Sequence, residues 1–457
     1  MSRTCVAFAM ALFLIATLRG WAEPTPPIMP TLVETPLPAP VELPPAENVP
    51  ADVPNAPLTA TEAARIALLH QPSLTVAKTG VQASQGRLQQ AKAGLRPGVV
   101  LSGGYTDQAI TSGEGGGGGA EGFSTGTNVR QLLFDYNRTR DLVRQAAAQQ
   151  RSSEANLTRA QSDLVFQVKQ AYYAYVQNLR LVSVQESNLR NRREHLAQAK
   201  ALLDAGFGLP IDVVRAETAV NDAVFNLNLT RNTASVARVI LAQLMGLDPH
   251  TPIRTADTDE PAPATDDFNA LVRTALTQRP EMAQGQANLQ ANQYGINIAK
   301  TANAPVLVGT VGWSLRDTNF PPKDSTLTLG VAIQWSAVDG GLTKGKVREA
   351  EANLQSAQAQ LDATALTVTA DVSQAYLNVK SAEQRLGTAD GAVTNAREAL
   401  RLAQGRYTAG RGIFLDVLDA QAALVIAETN RVNAQSAMNQ ARAALAHALN
   451  GDPALAP

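Results

Sequence analysis

The sequence predicts a mainly α-helical chain with a transmembrane β-barrel part, built from a helix-strand-strand-long helix-helix unit that occurs twice. Three observations carry this fold class. Landmark residues recur at a constant offset, two helical stretches of about 70 residues are long enough to need a partner along their whole length, and four segments of about 10 to 12 residues alternate apolar with polar side chains.

The N-terminus fixes the compartment. Arg3 precedes an apolar run from Val6 to Leu18 and a small-residue ending, Gly20-Trp21-Ala22, so residues 1–22 read as a cleaved signal peptide. Thirteen residues are too few for a membrane anchor, which needs about 18. The only cysteine, Cys5, lies in this leader, leaving no disulfide or thiolate chemistry to the mature chain. No cysteine follows the run, which predicts an unlipidated N-terminus. Residues 23–57 form a Pro-rich linker, since 12 of the 25 prolines fall between 24 and 57 and exclude helix or central strand there.

The duplication follows. Gln71-Pro72 returns as Arg279-Pro280 and Pro97 as Pro305, both 208 positions on. Beyond the next loop the offset is 204, pairing Gln170-Ala171-Tyr172 with Gln374-Ala375-Tyr376, Gly206 with Gly410 and Asp212 with Asp416. The first repeat spans 58–249, a linker covers 250–265, the second repeat spans 266–453, and 454–457 is a tail. Length variation falls in the loop between two strands, where it is best tolerated.

Within the first repeat the pattern places helix at 59–96, strands at 98–108 and 123–134, a long helix at 136–204 and a last helix at 211–246. The second repeat places helices at 266–303, 340–408 and 414–449, with strands at 305–316 and 325–336. A seam runs along the second long helix through Leu361, Ala365, Val368, Val372, Ala375 and Val379, then on from Ala382 to Tyr407, in steps of four and three. That is heptad spacing, and its alanines allow close helix approach.

The strands carry the membrane argument. Leu327, Leu329, Val331, Ile333 and Trp335 alternate with Thr326, Thr328, Gly330 and Gln334; Val311, Trp313 and Leu315 alternate with Thr310, Ser314 and Arg316. The first repeat is weaker, with Val99, Leu101 and Tyr105 against Ser102, Thr106 and Gln108. A soluble sheet packed on a core also alternates. Here, however, the strands interrupt helices too long to fold back on a small sheet. Each is long enough to cross the hydrocarbon layer, while no helical stretch of the mature chain is apolar enough to do so. Four strands cannot close a barrel, and lipid does not tolerate open edges, so several chains must share one. Three chains supply 12 strands; this physics permits three without selecting it.

Over nearly the whole mature chain this plan resembles the TolC-like outer membrane efflux protein family. Two stretches are similar to that family's periplasmic turns: Ala205-Gly206-Phe207-Gly208-Leu209-Pro210-Ile211-Asp212, and Tyr407-Thr408-Ala409-Gly410-Arg411-Gly412 followed by Asp416 and Asp419. The resemblance implies a homotrimer in the outer membrane of a Gram-negative bacterium, a 12-stranded β-barrel continued by a periplasmic α-helical barrel. It implies a passive exit duct of a tripartite efflux or type I secretion system, contacting outer-membrane lipid, a periplasmic adaptor protein and an inner-membrane pump. The turns at Gly206 and Gly410 would be the docking tips. Asp416 and Asp419, spaced i, i+3 on one helix face, would form stacked acidic rings at the channel entrance that select cations. The same two acids also suit a helix N-terminus. Asp212 and Tyr407 match positions that hold the tip closed, but the arginine of that lock is displaced: Gly412 stands at its position, and the arginine is Arg411. The polar partner position beside Asp212 is Ile211.

Other classes find little support. Net charge is -1, from 39 basic and 40 acidic residues, which leaves no footprint for nucleic acid. Glycines 115–119 lack the Gly-Lys-Ser/Thr of a phosphate loop and read as an external loop. His70, His195, His250 and His447 have no paired spacing for a metal, so no cofactor and no enzyme activity are expected. The competing class is a periplasmic coiled-coil adaptor or envelope scaffold. Such a protein usually carries one helical hairpin, and the tandem duplication with strands inside each copy argues against it.

Overall fold

The computed structural model describes residues 56–107, 122–256, 258–262 and 267–450. The leader, nearly all of the Pro-rich linker, the glycines at 115–119 and the C-terminal tail lie outside the described residues.

Each repeat opens with two helices where the sequence pattern suggested one. They are α1 (Ala60–His70) with α2 (Pro72–Ala93), and α5 (Phe268–Gln278) with α6 (Pro280–Lys300). The breaks at Gln71 and Arg279 have one cause. A proline ring disfavours helical backbone in the residue before it, and both residues are extended, with ψ of 116° and 133°. The same prolines then begin the next helix, where a missing N–H costs nothing. Thr59 and Glu62 close a capping box on α1, and the Asp267 side chain caps α5.

The strands β1 (Gly98–Thr106), β2 (Gly122–Phe134), β3 (Val306–Asp317) and β4 (Asp324–Gln334) form one antiparallel sheet in sequence order. Pairing of β2 with β3 joins the repeats, and register puts Val99, Val129, Val311 and Leu329 in one row. The next row on that face is Leu101, Thr127, Trp313 and Leu327. Side chains alternate, so Ser102, Gly126, Ser314 and Thr326 share the opposite, polar face. Among the described residues nothing covers the apolar face: Val99, Leu101, Tyr105, Leu327, Leu329, Val331 and Ile333 are all exposed. Among the described residues, β1 and β4 each have a partner on one side only.

The long helices α3 (Arg138–Asp204) and α7 (Leu342–Thr408) each contain 67 residues, about 100 Å at 1.5 Å per residue. The helix α4 (Pro210–Leu244) packs along α3, and α8 (Phe414–Leu449) along α7; α6 lies against both long helices. The eight buried residues of α7 are Val368, Val372, Ala375, Val379, Ala382, Ala389, Val393 and Leu400, and every one lies on the heptad seam. No described helix is long and apolar enough to cross a membrane.

The main core gathers at mid-height of α3, where Val168, Tyr172 and Val176 meet Ala63 and Ile66 of α1 and Leu241 of α4. The second repeat builds a smaller core around Leu271, Val372 and Leu445. The inter-repeat linker belongs to the first core. Leu58 bridges Thr255, and the Tyr172 hydroxyl reaches the carbonyls of Leu58 and Ala256, at 2.8 and 2.5 Å.

Candidate functional site

Two regions carry the functional geometry: the sheet, and the turns at the far ends of the long helices. In the first turn the N–H of Gly206 donates to Leu203 O and that of Phe207 to Leu202 O, both at 2.9 Å. In the second, Gly410 donates to Tyr407 O at 3.0 Å and Arg411 to Arg406 O at 2.9 Å. Both are Schellman closures, which need a left-handed residue after the cap; Gly206 and Gly410 supply it with φ of 77° and 68°. A second glycine follows in each turn for a different reason. A Cβ on Gly208 would sit 2.6 Å from Leu203 N, and one on Gly412 would sit 3.1 Å from Arg406 Cβ.

The turns bring some candidate residues together and leave others apart. Asp212 lies in the first turn of α4, and its charge reaches Tyr407 near the end of α7. Burial, and secondly that charge, push the Tyr407 phenol above its ordinary range. Asp416 and Asp419 sit on the first two turns of α8, exposed. Arg411 is exposed at the turn and makes no ion pair among the described residues.

Sequence reasoning missed the residue that ties the two turns together. Phe414 is fully buried, packed with Ala199, Val213 and Ala216 of the first hairpin, and its ring centre lies 5.4 Å from that of Tyr407. Its repeat equivalent is Pro210, so the duplication gave no signal for it. The paired glycines were detectable, because 208 and 412 recur at the same offset as 206 and 410. Beside the buried Phe414, the tips present Phe207, Leu209, Ile211 and Ile413 to solvent. Among the described residues, no group of histidine, cysteine or carboxylate side chains is arranged to hold a metal ion.

The family model described as "Outer membrane efflux protein" matches residues 63–247 and 271–451, one match per repeat. Outer membrane efflux protein BepC of Brucella suis biovar 1 is 26% identical over 317 residues, 68% of each chain. Outer membrane protein TolC of Escherichia coli K12 is 22% identical over 389 residues, 81% of this chain and 77% of the relative. Among solved structures, the outer membrane protein VceC of Vibrio cholerae superimposes with a TM-score of 0.74 at 22% identity, covering 86% of this chain and 96% of that one. The channel CusC gives 0.78 at 19% identity, covering 90% and 99%. These likenesses fix the fold, and the family match displaces the adaptor and scaffold alternatives. The chain belongs to the outer membrane efflux protein family and is an outer-membrane efflux channel component that extends into the periplasm.

Proposed function

We propose that three copies close into one duct, the passive exit stage of a tripartite efflux or type I secretion system. The observation that carries this reading is the open four-stranded sheet with an uncovered apolar face. Lipid leaves no way to satisfy the backbone groups at the free edges of β1 and β4 except pairing with another copy. The apolar row Val99, Val129, Val311 and Leu329 then faces hydrocarbon, and the row of Ser102, Ser314 and Thr326 faces the lumen. The helices continue the tube into the periplasm, ending at the turns of Gly206 and Gly410, which dock a periplasmic adaptor and through it an inner-membrane pump. Asp416 and Asp419, exposed at the start of α8, line the entrance as two rings of like charge. Asp212 and Tyr407 keep that entrance narrow. Native mass after mild detergent extraction from outer membranes tests the proposal. A detergent-corrected mass of three chains is expected; a water-soluble single chain that never enters the membrane overturns it.

A further inference from the structure

Over most of its height the polar face of the sheet carries small side chains, with Ser102, Gly126, Ser314 and Thr326 in one row and Asn128, Gly312 and Thr328 in the next. At the end nearest the helices this face changes character. Val100, Leu132, Val306 and Val308 make an apolar floor, and Arg96 and Arg130 stand beside it, together lining an open cavity of about 390 Å³.

Two contacts set the arginines at one place. Gly98 pairs with Arg130 in the β1–β2 register, so no side chain stands opposite Arg130 on that strand. The Gln131 side chain donates to the carbonyl of Leu95, the residue before Arg96, at 3.2 Å. Both arginines are exposed, no carboxylate lines the cavity, and neither guanidinium forms an ion pair among the described residues. Arg316, also on this face, differs in sitting across from Asp324.

The duplication shows that the local fold does not need these charges. The pair of Gly98 and Arg130 recurs in the second repeat as Val306 and Gln334, in the same register, and Arg96 recurs as Ala304. The second repeat thus builds the same strand entry without a cation, where the first carries two.

We infer that this cavity binds small amphipathic anions, a carboxylate on an aromatic or aliphatic body, as a cargo site inside the tube. This rests on the proposal that copies close a duct with the polar face toward its lumen. A guanidinium presents paired N–H donors that match a carboxylate, and such charge-assisted hydrogen bonds are the strong ones. The valine and leucine floor takes the apolar body, in a volume that suits a small molecule. Because the site is open to water, the anion is held weakly enough to leave again, as conduction requires. The acids Asp416 and Asp419 lie beyond the far end of α7, whose 67 residues span about 100 Å. Salt screens charge over roughly 8 Å, so their field does not reach the site.

Equilibrium dialysis of the detergent-extracted, full-length assembly against radiolabelled 1-naphthoate tests the site, with uncharged 1-naphthylmethanol reporting uptake by detergent. Saturable retention is expected for naphthoate and not for naphthylmethanol. Arg130→Gln and Arg96→Gln are each expected to weaken it about tenfold, the low end for a hydrogen bond to a charged group, and the double variant to abolish it. Arg96 lies outside the strands, so its variant tests the site even where a strand variant fails to assemble. Excess phosphatidylglycerol is expected not to displace the probe; displacement would put the anion site on the lipid side and overturn the lumen assignment. A three-chain native mass with equal retention by the parent and the double variant overturns the site and leaves the duct standing. A single-chain native mass overturns the duct, and the cargo site with it.

Discussion

Lys169 of α3 and Glu260 of the inter-repeat linker meet at 2.6 Å with side chains only 1% and 3% exposed. Tyr173 donates to the second oxygen of the same carboxylate at 2.5 Å, and burial, followed by this hydrogen bond, pushes its phenol far above the ordinary range. Arg442 of α8 donates to the Glu260 carbonyl at 3.0 Å. The linker is thus strapped across the polar junction between the repeats.

Removing the cation alone leaves a buried carboxylate uncompensated. Lys169→Met is expected to destabilise the folded chain by about 3–5 kcal/mol, the range for breaking a buried pair from one side. Adding Glu260→Gln recovers much of the loss. Denaturant unfolding followed by circular dichroism reads both, and equal stability of Lys169→Met and the parent would refute the strap.

The two faces of the sheet respond oppositely to charge. Leu329→Arg places a cation on the apolar face, at an expected cost of about 2–4 kcal/mol at mid-membrane. Thr328→Arg, one residue earlier on the polar face, is expected to be tolerated. Fractionation shows the difference as outer-membrane yield; equal yields would reverse the assignment of faces.

Mild acid is expected to weaken the junction at His447. Burial holds this imidazole below its ordinary pKa; Arg279 of the α5–α6 break adds to that, while Asp163 of α3, Glu281 of α6 and Asp371 of α7 oppose it. The folded chain therefore binds the proton less readily than the unfolded chain. The stability is full above the unfolded value of about 6.5 and is lost as pH falls through the folded pKa. His195 acts with the same sign, through burial and Arg192. The first repeat carries Gln243 at the position of His447, so His447→Gln is expected to fold and to lose stability less steeply below about pH 6.5. Identical slopes in a pH series of unfolding curves would rule this out.

At the tip, Asp212→Ala removes the charge that faces Tyr407. Two effects are expected: a larger single-channel conductance in planar bilayers, and a phenol that titrates at lower pH by ultraviolet absorbance. Unchanged conductance counts against a part for Asp212 in holding the entrance closed.

Asp416→Asn/Asp419→Asn removes two carboxylates per chain from the entrance. Cation preference, measured as the reversal potential in a salt gradient, is expected to fall. A preference that persists would leave the helix N-terminus as the whole explanation of these acids.

Much of this architecture was legible because it is written in local periods. A heptad records which side of α7 meets a partner, and the buried set from Val368 to Leu400 keeps to it. Period two records the faces of the strands, and the alignment of Val311 with Leu329 follows from it. The X-Pro breaks at Gln71 and Arg279 were also local, yet the helical pattern on both sides hid them.

By itself the sequence determined the duplicated unit, the strand faces, the heptad seam of α7 and the glycine turns, since each depends on residues a few positions apart. Only the tertiary structure decided which separated residues meet. Glu260 comes to Lys169 from 91 positions away, His447 to Ser162 from 285, and Phe414 enters the first hairpin although its repeat equivalent is a proline. No local period records such contacts, because they are set by how whole helices pack, and a packed helix accepts any side chain whose shape and charge suit the neighbour it happens to face.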